Sequence, residues 1–142
     1  MKKYHLLILL AAVVLAVISA CKDTGTDPAD QVFNLPDSNL NYSKHIRPMF
    51  DAKCASHSGC HSSFGQAGRL NLTSYEAIIL HQLESGEPLV RNGYGETSAL
   101  YQILLAAYKG IPRMPKEGPY LNTNNSNGVK IWIDEGLNFS GD

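Results

Sequence analysis

Four side chains in this chain of 142 residues could together hold a haem group: Cys54, Cys60, His61 and Met114. A cysteine followed directly by a histidine can attach haem through a thioether and ligate the iron with the imidazole, as in the attachment signature C-x-x-C-H. Here five residues, rather than two, separate the cysteines. Met114 lies between two prolines, and its thioether sulfur is a candidate for the sixth iron ligand.

The wide spacing of the two cysteines restricts the local structure. On a regular helix, six positions correspond to about 600° of rotation and about 9 Å of rise, so the two sulfurs would point apart. If both cysteines form thioethers, residues 56–59 must bulge outward. These residues are Ser, His and Gly, types that are readily accommodated in loops. Three alternatives stay open: one thioether at Cys60, a disulfide between Cys54 and Cys60, or a zinc site that includes His57.

We assign the sixth ligand to Met114 because it lies in a turn-prone segment without a helical face. Met49, by contrast, falls on the apolar face of a predicted helix, where methionine usually fills a core. The alternative ligands are His45, His57 and His81. The sequence places His45 early in the first helix and His81 late in the second, and we interpret both as surface or partly buried side chains.

The N-terminal residues have the pattern of an export signal. Two lysines precede an apolar run over residues 6–18 that is too short for a typical transmembrane helix. The run ends in Ile18-Ser19-Ala20-Cys21, which resembles a bacterial lipobox. We therefore expect a signal peptide over residues 1–20 and a lipid anchor on Cys21. The alternatives are an ordinary secretory signal and an uncleaved N-terminal anchor. The expected location is a membrane of the cell envelope, with the protein facing the periplasm or the cell surface.

Composition divides the rest of the chain. Residues 21–42 contain few apolar side chains, which predicts a flexible tether. Residues 43–142 suffice for one small domain, a size at which a cofactor or cross-link is often needed for stability. The chain carries 12 basic and 13 acidic side chains without a basic stripe, which argues against nucleic-acid binding.

Apolar periodicity predicts an all-α domain of about four helices and no strand. The long, Gly- and Pro-rich segments 84–96 and 111–124 need something central to wrap around. Ser43 can cap a first helix that begins near Pro48 and has the apolar face Ile46, Met49 and Phe50. Thr73 forms a capping box with Glu76 for a second helix, whose apolar face is Ile78, Ile79 and Leu83. Thr97 or Ser98 caps a third helix with the face Leu100, Ile103, Leu104 and Ala107, and a fourth helix runs from about Asn125 to Glu135 with the face Val129, Trp132 and Ile133.

In their order along the chain, these motifs resemble the class I cytochrome c domain. The matching segments are 46–50 before Cys54, Cys60-His61, 70–72 with 74–75, 98–101, Met114-Pro115 and 129–136. The resemblance implies a small cytochrome c-like fold with long loops around one haem c. It further implies thioethers at Cys54 and Cys60, with His61 and Met114 as axial ligands. It also implies that the first and last helices cross near one haem edge, with Trp132 in their packing.

These features predict a membrane-anchored carrier that passes one electron between redox partner proteins. We expect no enzymatic activity, because the sequence shows no nucleophile with a paired base and no carboxylate pair. Peroxidase-like or ligand-sensing behaviour would require an open sixth position. The alternative function is a haem-free helical module, closed by a disulfide, that binds a partner at the cell surface.

Overall fold

The structure, a computed structural model, describes residues 33–56 and 59–140. The predicted signal peptide, Cys21 and His57 lie outside the described residues. Within them the chain is helical and forms no strand, only two isolated bridges, so the predicted all-α class is confirmed. The helices are α1 (residues 42–55), α2 (Tyr75–Ile79), α3 (Ala99–Leu105) and α4 (Thr123–Asp134), and a 3-10 turn covers Ala67–Arg69.

Helix α1 begins earlier than predicted. The side chain of Asn41, rather than that of Ser43, caps it by accepting a hydrogen bond from the Lys44 N–H at 2.9 Å. Asparagine is a strong N-cap, so a cap two residues upstream is chemically sound. The prediction that the helix starts near Pro48 is therefore wrong.

The proline is accommodated because α1 is not a regular α-helix. Its first turn, Tyr42–Ile46, is π-helical, and the Ile46 N–H donates to the Asn41 carbonyl five residues back. A proline ring normally clashes with the carbonyl four residues before it, and a wider turn relieves that clash. A regular α-helical turn, Arg47–Phe50, and a second π-helical turn, Asp51–Ala55, follow.

The core forms where α1 packs against α4. The predicted inner face of α1, Ile46, Met49 and Phe50, is fully buried, and this prediction is confirmed. The predicted inner face of α4 is also confirmed, because Val129, Trp132 and Ile133 have no exposed surface. The first and last helices therefore share one core.

The residues before α1 belong to this core. Leu40 is fully buried, and Leu35 is nearly so. The Glu135 carboxylate at the end of α4 accepts hydrogen bonds from the N–H groups of Asn39 and Leu40, each at 2.8 Å. The folded domain thus begins by residue 35, and the predicted boundary at residue 43 is too late.

Helices α2 and α3 are shorter than predicted. Ser74, not Thr73, caps α2 by accepting from the Ala77 N–H, and α2 ends at Ile79, before Leu83. Helix α3 ends at Leu105, so the exposed Ala107 lies outside it. The connections that follow each helix, residues 80–98 and 106–122, are correspondingly long. In the described part of the chain, no helix is long and apolar enough to cross a membrane.

Candidate functional site

One large cavity brings together the residues that the sequence analysis selected. It has a volume of about 1340 Å³, and Cys54, Cys60, His61 and Met114 all line it. Protein interiors are otherwise packed nearly as densely as organic crystals, and ordinary ligand pockets measure roughly 300–1,000 Å³. A cavity of this size in so small a domain is large enough for a large ligand. Its apolar wall includes Phe50, Leu70, Leu72, Leu89, Ile103 and Leu104.

The described residues on the two sides of the segment between the cysteines are joined by hydrogen bonds. Helix α1 ends at Ala55, and the His61 N–H then donates to the Cys54 carbonyl at 3.1 Å. These residues are seven positions apart, whereas C-x-x-C-H would place them four apart, the spacing of an α-helical hydrogen bond. Gly59 takes the turn with a φ of +60°, a conformation that suits glycine, and its N–H donates to the Ser56 carbonyl. The hydrogen bond from His61 to Cys54 thus joins the two ends of the segment that separates the cysteines.

The two thiols differ in environment. Burial, with a smaller contribution from nearby Cys60, raises the pKa of Cys54 to about 12. Cys54 is therefore a protonated thiol at neutral pH. Cys60 lies at the exposed edge of the cavity, and neither of these two described cysteines is part of a disulfide. The number of thioethers stays a prediction.

His61 has the kind of hydrogen-bond partner that a ligating histidine usually has. Its Nδ1 atom lies 3.4 Å from the Leu70 carbonyl oxygen, and with the proton on Nδ1 the ring donates a long hydrogen bond to it. Ligating histidines usually give their second ring N–H to such a partner, which fixes the ring and leaves Nε2 for the metal. Burial lowers the pKa of His61, and the Leu70 and Ala67 carbonyls oppose this more weakly. The imidazole is thus neutral, the form that binds metals.

Met114 is held against α3. Its N–H donates to the Ile103 carbonyl at 3.0 Å, and the Nε of neighbouring Arg113 donates to the Leu104 carbonyl at 3.1 Å. The Arg113 guanidinium also lies 3.8 Å from the centre of the Tyr120 ring, a cation–π distance. The segment that carries the thioether is therefore fixed at several points on the cavity wall.

The other histidines fall in different places. His45 lies in the first turn of α1, where its Nδ1 accepts from the Asn41 N–H at 3.1 Å, and it does not line the cavity. His81 lies after the end of α2, not late within it, and it does line the cavity. The sequence predicts a surface or partly buried side chain at position 81, and His81 is partly buried. The turn-forming residues Ser85, Gly86 and Pro88 could have indicated an earlier helix end.

Charged side chains also line the cavity. Among the described residues of the wall, the cations are Lys53, Arg69, Lys109 and Lys116, and the acid is Glu84. Lys109 is paired with Glu87 at 2.5 Å. Among the described residues, no group of three or more His, Cys, Asp or Glu side chains could hold a metal ion by itself. The zinc alternative includes His57, which lies outside the described residues, so it stays a prediction.

No protein-family model, curated protein or solved structure matches this chain. The resemblance to class I cytochrome c consequently rests on the residues named above, and the cytochrome identity is a proposal.

Proposed function

We propose that this protein is a c-type cytochrome, a one-electron carrier anchored to a membrane of the cell envelope. One observation carries the proposal: Cys54, Cys60, His61 and Met114 are spread over sixty positions of sequence and line one cavity. The residues around that cavity also match the chemistry of haem in three respects.

First, the candidate iron ligands on the cavity wall, His61 and Met114, suit a haem iron. A neutral imidazole and a thioether sulfur are the ligand pair of many cytochromes c, and this pair gives a higher reduction potential than two histidines. The hydrogen bond from His61 N–H to Cys54 C=O draws the base of the bulge together. This closure supports two thioethers, because it reduces the effective spacing of the cysteines.

The wall of the cavity also matches haem, through its apolar surface and through its positive charge. Leucine and isoleucine side chains supply an apolar surface suited to a flat aromatic macrocycle. Haem also carries two propionate carboxylates, and among the wall residues that the structure describes the cations outnumber the one acid. The cavity therefore suits a molecule with a large apolar body and a negatively charged edge.

The residues of the chain have separate roles in this function. When bound, the haem supplies the one-electron couple. Cys54 and Cys60 would tether it, His61 and Met114 would ligate its iron, and the apolar wall would limit water access. The exposed position of Cys60 brings one edge of the site to the surface, where a redox partner protein can approach. The protein performs no substrate chemistry and is not an enzyme, and a lipid on Cys21 would keep it near its partners.

The test is to purify the protein after production with c-type cytochrome maturation factors. We expect a c-type absorption spectrum, and a pyridine haemochrome spectrum that indicates two thioethers. Cys54→Ser and Cys60→Ser should each move the haemochrome absorption band to the position typical of a haem with one thioether. Met114→Ala should lose the sulfur-to-iron charge-transfer band, whereas Met49→Leu, a volume-conserving change in the core, should keep it.

A protein that contains no haem after such production would rule the proposal out. Recovery of a Cys54–Cys60 disulfide by peptide mapping of that protein would then favour the haem-free surface module. A haemochrome spectrum unchanged by Cys54→Ser would instead show a single thioether at Cys60.

A further inference from the structure

A third potential iron ligand lies on the wall of the same cavity. His81 follows α2 directly and is fixed through its backbone on both sides. Its N–H donates to the Ile78 carbonyl at 3.3 Å, and its carbonyl accepts from the Leu89 N–H at 2.9 Å. His81 therefore lines the cavity at a position that its backbone fixes.

The His81 ring is chemically available. Across the described residues, no side-chain or backbone group hydrogen-bonds its nitrogens, whereas the His61 ring faces the Leu70 carbonyl. Burial is the main cause that lowers the pKa of His81, and the cost of protonating it next to a second protonated ring, that of His61, lowers it further. The ring is thus neutral at neutral pH and offers a lone pair.

The three donors are not equivalent. His61 follows the attachment cysteine and has the carbonyl partner that ligating histidines usually have. Met114 is held against α3 by its backbone. His81 lines the cavity and is fixed by its backbone, but within the described residues its ring has no such carbonyl partner, and its backbone is not bonded to α3. An iron in a haem has two axial positions, so a cavity with three donors has one in reserve.

We propose that His81 is the reserve axial ligand of this site and takes the sixth position whenever Met114 leaves the iron. This inference rests on the proposed function and goes beyond it. It predicts that loss of the thioether does not open the site to small molecules. It also predicts a lower reduction potential in that state, because two histidines give a lower potential than histidine with methionine.

The experiment compares the haem-loaded full-length protein with Met114→Ala, Met114→Ala/His81→Ala and Met114→Ala/His45→Ala. His45 is the matched control, because it is a histidine of the same domain that does not line the cavity. Electron paramagnetic resonance and resonance Raman spectra report the spin state and axial ligands of the iron. Haem content and the helical circular dichroism signal verify that each variant is loaded and folded. If Met114→Ala/His81→Ala fails either check, Met114→Ala/His81→Asn takes its place.

We expect Met114→Ala to be low-spin with two nitrogen axial ligands, and the Met114→Ala/His45→Ala variant to match it. The variant that lacks both Met114 and His81 should be high-spin and should return to low-spin on addition of free imidazole. A high-spin Met114→Ala, or a low-spin spectrum that persists without His81, would overturn the proposal. Wild-type protein without haem would instead show that the proposed function itself fails.

Discussion

At the scale of single residues, Tyr42 links the core to the cavity. Its ring packs against Tyr75 and Trp132, with centroid distances of 5.5 and 5.9 Å, and its hydroxyl donates to the Leu72 carbonyl at 2.9 Å. Leu72 lines the cavity. Burial is the main reason that the pKa of Tyr42 rises to about 12.

This raised pKa predicts a loss of stability in alkali. The unfolded phenol ionises near pH 10, while the folded one stays neutral to about pH 12. The folded state therefore holds the proton more tightly, and its contribution is complete below pH 10 and is lost as pH rises from 10 to 12. Tyr42→Phe should cost about 1 kcal/mol at neutral pH through the lost hydrogen bond. It should also show a shallower fall in unfolding free energy between pH 10 and 12.

The measurement is urea unfolding at each pH for wild type, Tyr42→Phe and Tyr94→Phe. Tyr94 is the control because 62% of its surface is exposed. Other groups that titrate in this range, including any thiol at Cys54, are common to all three proteins. Parallel pH curves for wild type and Tyr42→Phe would contradict the prediction.

At the scale of structural elements, the bulge after α1 can be tested by shortening it. Deleting residues 56–58 leaves Cys54-Ala55-Gly59-Cys60-His61, the ordinary C-x-x-C-H spacing. The hydrogen bond between His61 N–H and Cys54 C=O would then join residues four apart, as in a continuing α-helix. We expect the deleted protein to retain haem, both thioethers and its melting temperature within a few degrees.

A haemochrome spectrum and a thermal melt measure both outcomes. The control deletes three residues elsewhere in the loop, 62–64, where Ser62 accepts hydrogen bonds from Phe64 and Gly65. Loss of haem from the 56–58 deletion but not from the control would mean that the bulge itself is required for attachment.

The inner faces of the helices could be predicted from the sequence, whereas their ends could not. Ile46 with Met49 and Val129 with Trp132 repeat at helical spacing, and burial of such a face is what holds a helix in a small domain. Ends depend on competition between adjacent capping residues. Ser74 and Thr73 are both suitable caps, but Thr73 Oγ1 instead donates to the Asn71 side chain.

The candidate site shows the same division. Cys60-His61 carries a local signature, so it could be selected from sequence. His81 has no such signature, because its place on the cavity wall depends on where α2 ends and on the Leu89 N–H that contacts its carbonyl. Leu40 likewise falls within the predicted tether, yet it is fully buried. Its N–H donates to the Glu135 carboxylate, ninety-five residues away, and no local pattern predicts such a contact.

At the scale of the whole molecule, the cavity makes the domain dependent on what fills it. The wall side chains such as Phe50, Leu72 and Leu104 are already almost fully buried by the protein. A bound haem would therefore stabilise the fold by burying its own apolar surface, at about 25 cal/mol per Å². We expect the haem-free chain to be less stable by at least about 3 kcal/mol, the burial of about 120 Å² of apolar surface.

Denaturant unfolding of the same wild-type chain, produced with and without maturation factors and kept reduced, measures this difference. An unrelated helical protein without a cofactor, produced in parallel, controls for the production conditions. Equal stability of the two forms would argue that the domain is complete without haem.

The packing of α1 against α4 would set an order of events if the chain is exported as proposed. The Tyr42 N–H donates to the Asn138 carbonyl, and the Ser43 N–H donates to the Phe139 carbonyl, so the first helix has its partners at the far end of the domain. A chain that crosses a membrane from its N-terminus would deliver Cys54 and Cys60 about eighty residues before those partners arrive. During that interval the segment with the two cysteines would lack the packing that buries it. Under the proposed function, the haem-attachment machinery would therefore meet an open chain, and the last helix would close the domain afterwards.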